Sequence, residues 1–211
     1  MTITYPLSIP AEPGFNSVTL KRSAVGDFTA SPYTGAQYVQ VFAGQWWQAE
    51  LGLPKMKASN AAAWRSFFAK LNGVYGTFLL GPDPEFATPR GSAATVPGTP
   101  VVNGADQSGN TLSIAGLPAD ATGYLLAGDF IQLGSGASTR LHMMMDDADS
   151  NGSGEADLLI WPNLRESPAD GAAIVVSNAK GRFRLTTPVT EDSITPGPFW
   201  QMMTLSAIEA L

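Results

Sequence analysis

The chain has 211 residues, a formal net charge of −6 and only 14% charged residues, so it is long enough to bury a core without covalent cross-links. The absence of cysteine excludes disulfides, thiolate metal ligands and a thiol nucleophile. The acidic balance argues against tight binding to nucleic acid, which requires Lys and Arg at the phosphates, and no apolar run approaches the length of a membrane-spanning helix.

The N-terminal segment, residues 1–16, is rich in proline and apolar residues and predicts an extended arm or edge segment that docks on another surface. It lacks the basic and apolar regions of a secretory signal, so we expect synthesis in a cytoplasm without signal-directed export. Residues 18–25 alternate between apolar and polar and predict a first strand. Residues 27–35 contain Ser31-Pro32 and Gly35, which are typical of a loop.

The stretch from Gln37 to Gly52 predicts a hairpin. Apolar residues alternate with polar ones around Val39 and Val41, and they do so again beyond Ala43-Gly44, which has the composition of a turn. Adjacent strand residues face opposite sides, so at most one of Trp46 and Trp47 belongs to the core. We expect the other face of the hairpin, with Trp46, Gln48 and Glu50, to contact a neighbouring subunit.

A helix is predicted over residues 60–72, because Trp64, Phe67, Phe68 and Leu71 recur at helical spacing. Ser59 or Asn60 is the expected N-cap, and Asn72-Gly73 is expected to end the helix in a left-handed conformation. Residues 74–80 then predict a further strand, which Gly81-Pro82 stops. This strand–helix–strand unit predicts one packed core.

The second half of the chain predicts a separate β-domain. Residues 91–109 have the Gly and Pro content of a linker, and short apolar runs about ten residues apart then predict a small barrel or sandwich over residues 110–184. Residues 199–211 predict a strand that returns to the first core. The expected fold is therefore mainly β with one principal helix: a β-sandwich core, residues 1–90 and 185–211, with the β-domain inserted in it.

A calcium site is the main metal candidate. Asp147, Asp149, Asn151 and Gly152 fit the first half of an EF-hand loop, with Glu155 at position 9. Position 12 is Leu158 instead of the bidentate Glu, and the flanking segments have strand patterns. The favoured interpretation is a solvated turn, with calcium as the weaker alternative, so no metal or cofactor is predicted.

No residue is predicted to be catalytic, and we expect a protein that is not an enzyme. His142 is the only histidine, it lies inside a predicted strand, and no G-x-S-x-G nucleophile motif accompanies it, so a structural histidine is favoured. Trp46, Trp47, Trp161 and Trp200 are compatible with a sugar-stacking platform, although core and interface positions are favoured for them.

Several segments together resemble a family of minor tail or baseplate proteins of long-tailed, siphovirus-type bacteriophages that is similar to distal tail proteins. The resemblance covers nearly the whole chain from about Ser31. It is carried by SPYTGAQYVQVFAGQWWQAELGLPKM, AAAWRSFFAKLNGVYGTFLLGPD, PRGSA, GTPVVNGADQSGNTL, LLAGDFIQLGSGASTRLHMMMDDADSNGSGEADLLIWPNLRESPADGAAIVVSNAKGRFRL and the terminal IEAL.

The resemblance implies a structural virion protein of the tail tip or baseplate, made in the host bacterial cytoplasm. It implies a homo-oligomer, a hexameric ring that joins the tail tube protein to hub proteins and lets DNA pass without specific binding. Six copies would carry roughly −36, and such charge along a bore would keep DNA from sticking. Interface candidates are Trp46, Gln48, Glu50, Tyr5 and Phe15. The alternatives are a carbohydrate-binding module for a host glycan in residues 110–184 and, more remotely, a cell-wall hydrolase.

Overall fold

The computed structural model describes residues 2–82, 86–188, 192–194, 199–202 and 204–211. In these residues it contains one α-helix, α1 (Ala58–Leu71), and strands in three sheets. The strands are β1 (Leu7–Ser8), β2 (Ser17–Ala30), β3 (Gln37–Gly52), β4 (Met56–Lys57), β5 (Phe78–Leu80), β6 (Val101–Val102), β7 (Gly109–Ala115), β8 (Phe130–Leu133), β9 (Arg140–Met144), β10 (Ala156–Leu164), β11 (Ile174–Val175), β12 (Gly181–Leu185), β13 (Asp192–Ile194), β14 (Phe199–Met202) and β15 (Leu205–Glu209). The expected class, mainly β with one principal helix, is confirmed.

The first sheet has the order β1-β5-β12-β15-β3-β2 and is antiparallel except for the β1–β5 pair. Its core joins side chains of α1 with inward-facing side chains of β3, β5 and β12. A three-stranded sheet, β13-β14-β4, adjoins α1 through β4. The predicted helix face is confirmed, because all four of its members are buried: Trp64, Phe67, Phe68 and Leu71.

The predicted start of the helix is wrong. α1 begins at Ala58, and the residue before it, Lys57, makes no side-chain capping bond. The predicted end is confirmed, because Asn72 adopts a left-handed φ of 50° that closes the helix. The predicted strand over residues 74–80 is reduced to Phe78–Leu80, since residues 72–75 form turns after the helix.

The predicted turn at Ala43-Gly44 is also wrong. β3 is one continuous strand, and it pairs along its length with β2, which extends through residues that were expected to be a loop. The turn lies at residues 31–36 instead. Ala24 pairs with Gln45 and Gly26 pairs with Val41, so three residues of β3 oppose one of β2 in a bulge. Ala43-Gly44 therefore marks a bulge inside a ribbon.

The second sheet has the order β11-β8-β9-β10-β7-β6. Its two edges meet, because the Val102 amide donates to the Ala172 carbonyl at 2.9 Å and the Ile174 amide donates to Pro100 at 3.0 Å. These bonds close the sheet into a small barrel, as full closure removes exposed edges. Its interior is apolar and fully buried, with Leu112, Ile114, Leu125, Ile131, Leu158 and Ile160.

Two of the predicted limits need correction. The expected linker, residues 91–109, contains β6, and its Ala93 and Val102 are buried in the barrel core. The expected boundary after residue 184 falls inside β12, which pairs with β5 and β15 of the first sheet. The segment expected to be one terminal strand contains two, β14 and β15, in different sheets. No helix in the described residues is long and apolar enough to cross a membrane.

Candidate assembly interface

The distal part of the β2–β3 ribbon leaves the body of the protein. β15 pairs with β3 only between Gln48 and Leu51, and in the described part of the chain no third strand pairs with the ribbon beyond it. We call residues 24–45, with both strand segments and their connecting turn, the arm. Side chains on both faces of its strands are exposed up to residue 43. An isolated two-stranded ribbon is marginally stable in water, so the arm gains little stability from its own strand pairing.

One face of the arm is apolar and uncovered. Cross-strand pairing brings together Phe28 with Val39 and Gly26 with Val41 on this face. The exposed fractions of Phe28, Val39 and Val41 are 64%, 60% and 75%. The opposite face carries Asp27, Thr29, Tyr38 and Gln40. This alternation is the pattern of a ribbon with one buried face, although nothing in the described residues buries it.

The arm has almost no charge. Between Ser23 and Ala49 the only charged residue is Asp27, and the tip carries Tyr33, which is 95% exposed. Proteins usually protect an exposed sheet edge with lysine or other charged side chains, because an unprotected edge pairs with other chains. An apolar, aromatic and nearly uncharged ribbon has instead the composition of an interface centre.

The root of the arm is clamped to the barrel. The Gln45 carbonyl accepts a hydrogen bond from Arg165 Nη2, and Gln45 Oε1 accepts one from the Asn163 amide at 2.9 Å. Arg165 is in turn held by a bidentate pair with Glu209, at 3.0 and 3.1 Å, and Glu209 also accepts the Trp47 amide at 3.1 Å. Because Glu209 is buried and fully paired, these bonds fix the direction in which the arm leaves the body.

His142 is a hydrogen-bonding residue of the same junction. It is buried on β9, and its Nδ1 lies 2.8 Å from the Pro162 carbonyl. Burial lowers its pKa to about 4, against the opposing effects of the Pro162 bond and of Glu209. The ring is therefore neutral near pH 7, and Nδ1 carries the proton that it donates to Pro162.

The sequence-predicted interface residues of β3 lie on the outer face of the first sheet. Trp46 and Gln48 are half-buried and Glu50 is exposed, whereas Trp47 is buried, as the alternation predicted. The Trp46 Nε1 is buried without a hydrogen-bond partner in the described residues. Glu50 forms an exposed ion pair with Lys21 across the ribbon. This face is thus more polar and more internally paired than the apolar face of the arm.

The other two interface candidates contact their own chain. The Tyr5 hydroxyl donates to the Lys70 carbonyl at 2.6 Å, and its ring meets Tyr75 edge to face. The Phe15 ring packs edge to face on Trp64, with ring centres 5.4 Å apart. The N-terminal segment therefore docks on its own core through β1 and these rings, which reduces the surface that Tyr5 and Phe15 offer to a neighbour.

Three of the calcium candidates, Asp149, Asn151 and Glu155, line the same surface pocket, and all four already accept hydrogen bonds. Their oxygens accept hydrogen bonds from different parts of the barrel: Asp147 from the Ala127 amide at 2.8 Å, Asp149 from the Gly123 amide at 2.6 Å, Asn151 from the Ser153 and Glu155 amides at 2.9 Å, and Glu155 from the Asn103 and Asn151 side chains at 3.2 Å. Among the described residues no three His, Asp or Glu side chains are grouped to hold a metal ion. The hydrogen bonds to these oxygens hold the loop against the adjacent turns.

Two of the four candidate platform tryptophans pack on each other. The rings of Trp47 and Trp161 are 4.6 Å apart and nearly perpendicular, and Trp47 Nε1 donates to the Leu141 carbonyl at 2.9 Å. They join the first sheet to the barrel and do not present a flat surface to a sugar. The side chain of Trp200 lies outside the described residues.

No protein-family model matches the chain, and no curated protein matches it in sequence. The exposed apolar residues of the arm, Phe28, Val39 and Val41, were absent from the predicted interface. A signal for them is present in the sequence: the alternation on both sides of the 31–36 turn, together with the lack of charge from Ser23 to Ala49. Residues 27–30, predicted as part of a loop, belong to β2.

Proposed function

We propose that this protein is a structural subunit of a bacteriophage tail tip or baseplate. It assembles with copies of itself into a ring, of the distal-tail type, that joins the tail tube to the hub. The single observation that supports the proposal most is the arm, which presents an apolar face that no described residue of its own chain covers. The segment resemblance to minor tail and baseplate proteins supplies the biological setting.

The energetics favour assembly over a free monomer. Burying a large apolar side chain contributes about 1.5–3 kcal/mol relative to leaving it in water. Phe28, Val39 and Val41 offer three such side chains on one rigid ribbon, and the clamp at Gln45 reduces the ordering cost of docking it. A monomer that keeps this surface in water is an aggregation hazard, whereas a ring subunit gives it a partner.

The charge of the chain suits a ring through which DNA passes. The net charge is −6, so a ring of six carries roughly −36, and acidic side chains at a bore repel the phosphates of passing DNA. The proposed ring contacts the tail tube protein on one side and hub proteins on the other. DNA is cargo that crosses the ring without binding.

Light scattering coupled to gel filtration, followed by cryo-electron microscopy of the virion, tests the proposal. Six copies of a 22.1 kDa chain give a particle of about 133 kDa, which we expect at micromolar concentration. In the virion we expect the chain at the junction between tail tube and tail tip. A protein that is monomeric at all concentrations and absent from purified particles contradicts the proposal, as does a ring bore lined by Lys and Arg.

Carbohydrate binding is the alternative function, and the packing of Trp47 on Trp161 leaves neither ring as a flat surface for a sugar. Binding of one class of glycan by the whole protein on a glycan array would support carbohydrate binding.

A further inference from the structure

The apolar face of the arm is a continuation of the core face of the first sheet. On the body side of the bulge, Leu20 of β2 and Ala49 of β3 pair and face the core. Three residues of β3 oppose one of β2 in the bulge, so the alternation of side chains is preserved across it. By that alternation Phe28 and Val39 lie on the same side of the ribbon as Leu20 and Ala49. The side of the ribbon that faces the core in the body therefore continues along the arm, where no described element covers it.

A matching groove lies at the root of the same ribbon. It has a volume of about 340 Å³ and is lined mainly by apolar side chains of β2, β8 and β9 and of the segment after β5, including Leu20, Pro82, Phe86, Phe130 and Met143. Phe86 is 49% exposed at its edge. The groove has the size and the apolar lining of a site that accepts a few large apolar side chains.

The arm cannot reach the groove of its own chain. Phe28 lies eight residues beyond Leu20 on β2, about 26 Å away at 3.3 Å per residue, and the clamp at Gln45 holds the ribbon in that direction. Neither the distance nor the clamp prevents the arm of one copy from reaching the groove of another copy. They are two different surfaces of one chain, so their contact is of the head-to-tail kind, which forms a ring when the rotation between successive copies closes.

We propose that in the assembly the arm of each copy lies in the groove of the next copy, with Phe28, Val39 and Val41 against the groove wall. This proposal rests on the proposed ring and adds the surfaces that build it. The apolar character of the two surfaces agrees: the only charge on the arm, Asp27, lies on its opposite, polar face, and the described residues that line the groove are mainly apolar.

A symmetric contact between two arms is less favourable. Beyond the bulge the ribbon has five residue pairs, three of them on the apolar face. This face measures about 17 Å by 10 Å, so face-to-face stacking covers roughly 170 Å² on each copy. Stable interfaces cover about 800 Å² on each partner. An arm seated in a groove also covers the open edges of its two strands and the groove walls, which brings the contact closer to that requirement.

Two single variants and their mixture test the head-to-tail contact. Phe28→Asp places a charge on the apolar face of the arm and leaves the groove unchanged. Phe86→Asp places a charge at the groove and leaves the arm unchanged. We expect each variant alone to be monomeric by light scattering. Their mixture is expected to form dimers of about 44 kDa, because one intact arm meets one intact groove and the chain of contacts then stops.

Thr29→Asp is the matched control, because it places the same charge one residue away on the polar face of the arm; rings are expected to survive it. Circular dichroism melting checks that all variants are folded. Rings that persist in Phe86→Asp, or a mixture that stays monomeric, overturn the arm-in-groove contact while leaving the proposed function standing if wild-type rings form. Wild-type protein that never assembles overturns both.

Discussion

The β2–β3 ribbon has two halves with similar patterns and opposite surroundings. In the proximal half the inward side chains, such as Trp47, Ala49 and Leu51, are about 1% exposed under α1 and the barrel. In the distal half Phe28, Val39 and Val41 occupy equivalent positions and are mostly exposed. The difference teaches that the same alternation of side chains occurs in a covered and in an uncovered half of one ribbon, since nothing in the described residues covers the distal half.

The largest expected effect is on the covered half. Trp64→Ala removes the side chain of α1 that stacks on Phe68 and meets Phe15, so we expect a loss of about 3–5 kcal/mol in the free energy of unfolding. Urea denaturation measures it. Trp64→Phe is the matched control with a smaller loss, because it keeps an aromatic ring and removes an Nε1 that has no partner in the described residues. Unchanged stability of Trp64→Ala would contradict the assignment of this face to the core.

The junction between the two sheets is expected to weaken in acid. The pKa of His142 is about 4 in the folded protein and about 6.5 when unfolded, so between these values the unfolded chain binds a proton that the folded chain does not. Stability should therefore fall as the pH drops from 6.5 to 4, by about 3 kcal/mol. His142→Asn keeps a donor toward Pro162 without titrating, and its stability should show a flatter dependence on pH. An identical profile in both proteins would assign the acid sensitivity to other groups.

The clamp at the root of the arm is the next test. Glu209→Gln removes the charge that Arg165 faces, and we expect a loss of about 2–3 kcal/mol, less than for a fully buried pair because the Arg165 side chain is 28% exposed. Thermal unfolding measures the loss. Glu50→Gln is the control, since its pair with Lys21 is exposed and worth little. Equal losses of stability from the two substitutions would show that the pair of Arg165 and Glu209 contributes no more than an exposed ion pair.

The smallest effect on the monomer is expected in the arm. Phe28→Ala and Val41→Ala should each change the free energy of unfolding of an isolated chain by less than about 0.5 kcal/mol, because these side chains are already in water. The same substitutions should weaken assembly at least tenfold in analytical ultracentrifugation, which is about 1.4 kcal/mol. A large loss of monomer stability would instead show that the arm packs on its own chain.

The helix and the class of the fold were accessible from sequence because their signals are local. Trp64, Phe67, Phe68 and Leu71 share one helix face at a spacing that holds wherever the helix packs, and Asn72-Gly73 ends it through backbone preference alone. The short apolar runs between Gly and Pro residues likewise indicated a mainly β chain with two cores. The turn was predicted at the wrong place, because Ala43-Gly44 has the composition of both a turn and a bulge.

By itself, the sequence determined the helix face, the alternation of the strands and the lack of charge along the arm, since each depends on neighbours a few residues apart. Only the tertiary structure decided that β3 is one strand with a bulge, that β12 belongs to the first sheet, and that Arg165 and Glu209 clamp Gln45. These features join residues far apart in the chain. Their partners are selected by the packing of the whole molecule, and no local preference encodes it.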